Sequence, residues 1–145
     1  MNKVRHHDFT LGIPDGWKDR TEVVLKGLSR DGKNWPTVTV TRVLLEHDLT
    51  LAQFVDFQIN ALVTQAGVKE SFMQKGQTTL DGLEASVCVF DIKVLGRWLT
   101  QGQIYAIRDK IAFIVVTTSP QEFYEADREF FDPIIKSFKF NPPAE

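Results

Sequence analysis

The chain has 145 residues, of which 17 are basic and 19 acidic, so its formal charge at neutral pH is −2. This length fits one domain, and 43% hydrophobic with 25% charged residues is typical of a globular protein and excludes wholesale disorder. So small a net charge predicts neither a nucleic acid nor an anionic membrane surface as a partner, because no basic field is present to displace phosphate counterions.

The cysteine content and the apolar segments of the sequence indicate which compartments and membrane attachments to expect. The single cysteine, Cys88, excludes an internal disulfide and a thiolate metal cluster. No apolar run follows residues 1–5, and no segment approaches the ~18 apolar residues of a membrane span. We therefore expect no signal peptide, no lipid anchor and no stable membrane association. The sequence predicts a single cytoplasmic domain over residues 1–145, with 141–145 as a loose tail.

Segments with the composition of strands alternate with turn residues along the chain. The predicted strands are 9–13, 21–28, 37–45, 83–95, 97–107 and 111–118. The predicted turns are 14–16, 31–32, 81–82 and 108–110. Tight turns between the last three strands require antiparallel neighbours. Residues 111–116 are apolar at both odd and even positions, as expected for a central strand covered on both faces.

The first predicted helix lies between the strands at 37–45 and 83–95. Thr50 and Gln53 form a capping box, and Gly67 supplies a C-terminal stop. Between them, apolar residues recur at helical spacing and make one apolar face.

The second predicted helix follows the last strand. Ser119 is interpreted as its N-cap, Pro120 as its first residue and Glu122 as the reciprocal capping carboxylate. We expect Pro133 to kink or restart this helix. Strands segregated from two flanking helices predict an α+β fold, with a twisted antiparallel sheet of about six strands.

Groups with catalytic or metal-binding chemistry do not converge in the sequence. The histidine-containing triplets 6–8 and 46–48 alternate sides on an extended segment, so neither surrounds one ion. Cys88 alternates with Phe90 and Ile92, so the three side chains lie on the same apolar face of a predicted strand. Because no base near it in the sequence would lower its pKa, we interpret Cys88 as a small hydrophobic residue.

Acidic residues crowd the second predicted helix and could be mistaken for a paired-acid site. They are Glu122, Glu125, Asp127, Glu129 and Asp132. Because they interleave with aromatic residues, we interpret them as a solvated helix face. With no glycine-rich phosphate loop and no zinc-protease signature, we expect no enzyme, no cofactor and no metal site.

Gln58 is harder to explain as a purely structural residue. It lies seven residues after Leu51 and four before Leu62, near the middle of the apolar stripe of the first helix. Burying an unpaired amide costs about 1–3 kcal/mol, so this side chain needs a partner. It either bonds to its own sheet or lines a groove and bonds to a guest.

Polar side chains also occupy alternate positions, and therefore one face, on each of two predicted strands. Thr37, Thr39 and Thr41 alternate with valines, and Gln101 and Gln103 repeat the pattern on a later strand. Such a stripe is either a solvated sheet face or part of the same groove as Gln58. Amides and hydroxyls among apolar residues are typical of a surface that binds another polypeptide.

Several short segments, taken in order and spacing, resemble the DcrB-like family. They are 13–17, 19–21, 38–42, 54–55 with Gln58, 80–82, Gln103 and 137–138. They run over nearly the whole chain. The fold of this family is similar to that of PsbP, so the resemblance implies a twisted antiparallel sheet with helices packed against it.

The resemblance also implies a function. Single-domain members without a signal peptide include the Eag chaperones of type VI secretion, which form homodimers. Their concave sheets cradle the hydrophobic N-terminal transmembrane helices of effectors before export. The expected partners are therefore a secreted effector with apolar N-terminal helices and a second copy of the chain.

The resemblance assigns groove positions residue by residue. The positions that would hydrogen-bond a guest helix are Thr37, Thr41, Gln58 and Gln103. Val24 matches an apolar groove position. Glu22 and Thr39 lie where the family tends to place apolar residues. A charge at Glu22 fits a less hydrophobic guest, or no transmembrane guest at all. The alternative is a general protein-binding or assembly module on the same fold without a transmembrane client.

Overall fold

The computed structural model describes residues 2–5 and 8–142. The two α-helices are α1 Leu51–Gln65 and α2 Tyr124–Lys136, and a 3₁₀ turn spans Glu70–Phe72. The strands are β1 Asn2–Arg5, β2 Thr10–Ile13, β3 Glu22–Lys26, β4 Thr37–Leu44, β5 Gln74–Leu80, β6 Leu83–Val94, β7 Arg97–Arg108 and β8 Ile111–Pro120. Among the described residues, no helix has the length and apolar composition needed to cross a bilayer.

Six strands form one antiparallel sheet in the order β3-β4-β8-β7-β6-β5, while β1 and β2 pair separately. One helix packs on each face, α1 against β6 and β7 and α2 against β8. The α+β prediction, with six strands and two helices, is confirmed. The apolar segment 111–116 lies in β8, near the middle of the sheet as predicted.

The membership of the sheet differs from the prediction in one strand. Residues 9–13, predicted as a strand, contribute β2, which belongs to the separate hairpin. The sixth strand of the main sheet is β5, which was not predicted because its side chains are polar and only Leu80 is buried.

The N-terminal cap of α1 is confirmed. The Thr50 hydroxyl accepts a hydrogen bond from the Gln53 amide at 3.1 Å, and the Gln53 side chain accepts one from the Thr50 amide at 3.0 Å. Gly67 follows the helix with φ +70°, a conformation that favours glycine.

The predicted start of α2 is wrong. Strand β8 continues to Pro120, opposite Leu99, and the helix begins at Tyr124 without a side-chain cap. The Ser119 hydroxyl, expected to cap the helix, donates a hydrogen bond to Asp127 instead. The helix also continues through Pro133.

Two apolar cores hold the helices to the sheet. The buried core on the α2 side consists of Val38, Leu80, Ala85, Ile104, Ala106, Val115, Tyr124 and Phe131. The buried core on the α1 side consists of Phe54, Val68, Cys88, Phe90, Tyr105 and Ala112. Alternation along each strand therefore gives the sheet two distinct faces.

The expected solvated acidic face of α2 is wrong at one residue. Asp127 is only 1% exposed, and it accepts hydrogen bonds from the Ser119 hydroxyl and, at 2.7 Å, from Nε of Arg30. Arg30 also contacts Glu129 at 3.1 Å. Because Arg30 lies between β3 and β4, this cluster ties the loop before β4 to α2. The other four carboxylates of the group are exposed, as predicted.

Candidate functional site

The register of the sheet aligns the residues predicted to form a groove. Val24 lies opposite Thr39, Thr39 opposite Val116, and Val116 opposite Gln103. Opposed residues of an antiparallel pair point to the same face, here the face that carries α1. With strands ~4.8 Å apart, this row of four residues spans ~14 Å from β3 to β7.

Two more rows flank this one on the same face. One row consists of Glu22, Thr41, Ile114 and Tyr105. The other consists of Lys26, Thr37, Thr118 and Gln101. We call these three rows together the open face. The β8 members of the open face were not predicted, because β8 is apolar at both odd and even positions and its sequence does not indicate which side chains face a groove.

Helix α1 borders the open face. The ring of Phe54 packs edge-to-face on Tyr105, with ring centroids 6.2 Å apart, so α1 covers β7. Exposure rises with distance from this helix. Tyr105 is fully buried, Thr39 is half-buried and Val24 is 59% exposed. The open face is therefore shielded at β7 and accessible at β3.

A chain of polar contacts fixes the Gln103 side chain. Its carbonyl oxygen accepts a hydrogen bond from the Tyr105 hydroxyl, and its Nε2 donates to Oε1 of Gln101 at 3.2 Å. The Tyr105 hydroxyl also lies 3.5 Å from Sγ of Cys88. An amide nitrogen carries two hydrogens, so Gln103 has one left for another acceptor.

The threonines of β4 differ in their bonding. The Thr41 hydroxyl donates to Oε1 of Glu22 at 3.2 Å. Within the described part of the chain, the hydroxyls of Thr37 and Thr39 have no hydrogen-bond partner. Both side chains are half-buried, so these two hydroxyls can bond to water or to a guest.

Gln58 lies half-buried on α1, one turn from Phe54 and from Leu62. Among the residues that the structure describes, its carboxamide has no hydrogen-bond partner. Gln58 is therefore not bonded to its own sheet, which was one of the two interpretations. Its bonding to a guest stays a prediction.

Two titratable groups are buried in the core beneath α1. Burial raises the pKa of the Cys88 thiol, and it also raises the pKa of the Tyr105 hydroxyl. A thiol with a raised pKa and no solvent contact is a poor nucleophile. Cys88 thus belongs to the core, as its place among the alternating apolar residues of its strand predicted.

This burial gives a prediction for thiol chemistry. We expect iodoacetamide to alkylate Cys88 at least about 100-fold more slowly in the folded protein than in the unfolded chain, because only the exposed thiolate reacts. The difference should widen from about pH 7 to about pH 9, since an exposed thiol ionises over this range while Cys88 does not. Mass spectrometry against time, with and without urea, measures both rates. Rapid labelling in the folded protein would place the thiol at the surface.

The structure places His47 in the loop between β4 and α1. His47 is exposed, and no group of three metal-ligating side chains occurs among the described residues. His6 and His7 lie outside the described residues, as do residues 143–145 of the predicted tail.

Solved structures of three other proteins share the fold. Protein PA94 of Pseudomonas aeruginosa, a suggested regulator of unknown function, has a TM-score of 0.81 and 20% identity, and the match covers 99% of each chain. LpqN of Mycobacterium tuberculosis, involved in cell envelope biogenesis, has a TM-score of 0.59 and 11% identity, covering 88% of each chain. The cyanobacterial PsbP of a Synechocystis species has a TM-score of 0.51 and 13% identity, covering 90% of this chain and 99% of its own.

These likenesses are of fold alone, and they confirm the PsbP-like architecture. No curated protein is significantly similar in sequence to this chain. The sequence profile of the DcrB family matches residues 9–137, nearly the whole chain. The protein therefore belongs to the DcrB family.

Proposed function

We propose that this protein is a non-enzymatic chaperone that binds a hydrophobic N-terminal helix of a type VI secretion effector on its open face. It would act in the cytoplasm and keep the effector from aggregating before export. The observation that carries this proposal is the row formed by Val24, Thr39, Val116 and Gln103. This row combines apolar side chains with polar groups that can still form hydrogen bonds to a guest.

The dimensions of the open face suit one helix. An α-helix with its side chains is about 10–12 Å across, and the part of the open face that α1 leaves uncovered, from β3 to β8, spans about 10 Å between strand axes. A guest helix lying beside α1 would contact Phe57 of α1 on one side. Phe57 is 62% exposed, so the wall of this site already presents an unpartnered aromatic ring.

The polar groups of the open face suit a particular kind of guest. The backbone of a helix satisfies its own hydrogen bonds, so the groups available to Thr37, Thr39 and Gln58 are polar side chains of the guest. The charges of Glu22 and Lys26, on either side of Val24, also favour polar groups at the accessible edge. We therefore expect a guest helix that is apolar overall but carries serine, threonine or asparagine.

Removing the hydrogen-bonding groups should weaken guest binding without unfolding the protein. We expect Gln58→Leu and Thr39→Val each to raise the dissociation constant about 3- to 10-fold, the effect of one lost hydrogen bond. The probe is a fluorescent synthetic helix of about 20 residues, mostly leucine and alanine with two serines. Fluorescence anisotropy measures its affinity.

Matched controls lie on the other side of the sheet. Gln74→Leu and Thr78→Val make the same chemical changes at exposed positions of β5. These variants should bind the probe as the wild type does. Equal affinities in all four variants would show that the probe does not occupy the open face.

A second candidate function is a protein-binding or assembly module without a membrane-helix client. The charges of Glu22 and Lys26 beside Val24 favour it, because they make the exposed edge of the open face less apolar. Such a module should prefer an amphipathic peptide with charged residues to the leucine–alanine probe. The ratio of the two affinities distinguishes the candidates.

A further inference from the structure

Strand β6 is longer than its outer neighbour β5. It runs to Val94, but its pairing with β5 ends at Val89. The residues that would continue β5 beyond this point form the 3₁₀ turn instead. Among the described strands, residues 90–94 therefore have β7 on one side and none on the other. An unpaired stretch of this kind is a template for another strand.

The hairpin turn between β6 and β7 determines which backbone groups face the unpaired side. Both residues of the turn at 95–96 have positive φ, as in a two-residue hairpin. The residues that close such a turn, Val94 and Arg97, bond to each other. Bonded residues alternate along an antiparallel pair, so the amides and carbonyls of Asp91 and Lys93 point away from β7. Among the described residues, these groups have no backbone partner.

A cavity of about 520 Å³ lies beside this unpaired stretch. It is lined by residues 66–69 and Phe72, which follow α1, by residues 90–93 of β6 and by Trp98. Its volume is typical of ligand pockets. The rings of Phe72 and Trp98 are 77% and 53% exposed. The space next to the unpaired backbone groups is therefore open and has aromatic walls.

Lys69 and Lys93 carry the positive charges of the cavity. Their ammonium groups lie 5.9 and 6.0 Å from the ring centroids of Phe72 and Trp98. Within the described part of the chain, neither ammonium group has an acidic partner. The carboxylate of Asp91 already accepts hydrogen bonds from two neutral side chains. The charge of the cavity therefore favours a guest that carries a carboxylate.

We propose that an extended peptide segment of a partner protein, with an acidic residue among apolar ones, binds as an added antiparallel strand beside residues 90–94. Its backbone would exchange hydrogen bonds with Asp91 and Lys93, as in other complexes formed by strand addition. Opposed residues share a face, so a glutamate opposite Lys93 would meet the ammonium group. An apolar residue would lie beside Ile92. This surface is separate from the open face, and the proposal does not rest on the proposed function.

Methylation of backbone amides tests the strand pairing. The probe is the fluorescent peptide Ser-Val-Glu-Val-Thr-Val-Ser, which can place its glutamate opposite Lys93 and its threonine opposite Asp91. In this register, the glutamate and threonine amides bond to β6, whereas the valine amides point away. We expect N-methylation of the glutamate and threonine to raise the dissociation constant at least about 10-fold, and N-methylation of two valines to change it less than about 2-fold. Fluorescence anisotropy measures all three peptides.

Charge reversal tests the register. Lys93→Glu should raise the dissociation constant about 5- to 10-fold, because an attractive cross-strand pair becomes repulsive. Replacing the glutamate of the peptide with lysine should restore the affinity of this variant. Lys33→Glu makes the same change at an exposed position between β3 and β4, far from β6 in the sheet, and should leave the affinity unchanged.

Three outcomes would overturn the proposal. One is no binding of the peptide at about 1 mM, and another is equal weakening by both kinds of methylation. The third is an affinity that falls as the protein concentration rises, because a second copy of the chain would then occupy the edge. The leucine–alanine helix tests the proposed function separately. A protein that binds the peptide in the expected way but not the helix would remove the proposed function alone.

Discussion

Asp127→Ala is expected to lower the free energy of unfolding by about 3 kcal/mol, the loss typical of a broken buried polar cluster. Asp127 and Ser119 are each 1% exposed, so the substitution leaves the Ser119 hydroxyl buried without its acceptor. It also removes the 2.7 Å contact that holds Arg30 to α2. Urea unfolding monitored by circular dichroism measures the change.

Glu129→Ala is the matched control because Glu129 binds the same arginine from an exposed position. We expect it to cost less than about 0.5 kcal/mol, as exposed ion pairs usually do. A similar loss in both variants would mean that Arg30, rather than burial of Asp127, accounts for the stability. Because Arg30 precedes β4, Asp127→Ala should also increase hydrogen exchange in the loop between β3 and β4.

Gly102→Ala is expected to destabilise the protein by about 2 kcal/mol or more, because a new methyl group would enter a filled space. A Cβ at Gly102 would overlap the Tyr124 hydroxyl and lie 2.8 Å from Oγ1 of Thr117. Those two hydroxyls are hydrogen-bonded to each other at 2.9 Å, so neither can withdraw without losing its partner. Thermal unfolding measures the shift.

The double variant Gly102→Ala with Tyr124→Phe identifies the cause. Removing the phenolic oxygen removes the severest overlap, so the double variant should be more stable than the sum of the single changes predicts. Strict additivity would mean that the Tyr124 hydroxyl is not what the methyl group meets. Since Gly102 lies between Gln101 and Gln103, this contact also fixes the strand that carries both amides of the open face.

Local signals in the sequence were sufficient for most of the fold. The capping box at Thr50 and the turns between β6, β7 and β8 depend only on neighbouring residues, and the structure contains them as predicted. Strand β5 was missed because an edge strand buries little and so has no apolar alternation to detect. The false start of α2 came from Ser119, whose hydroxyl bonds to a residue eight positions later.

The cluster around Asp127 shows what the sequence could not reveal. Its arginine partner lies 97 residues away, and nothing near either residue indicates the pairing. The open face depends on long-range information in the same way. The alternation that puts Thr37, Thr39 and Thr41 on one face of β4 could be recognised in the sequence. Their alignment with Gln103 could not, because it follows from the position of β8 between β4 and β7.

The placement of β8 between β4 and β7 also constrains the order in which the protein folds. Strands β6, β7 and β8 are consecutive and pair with their neighbours, so they close short loops, whereas β4 meets β8 only after α1 and three intervening strands have been made. Short loops close first because they lose less chain entropy. On the ribosome, β3 and β4 emerge early but have to wait for the last strand. The half of the open face that carries Val24 and Thr39 is therefore the last part of the sheet to be completed.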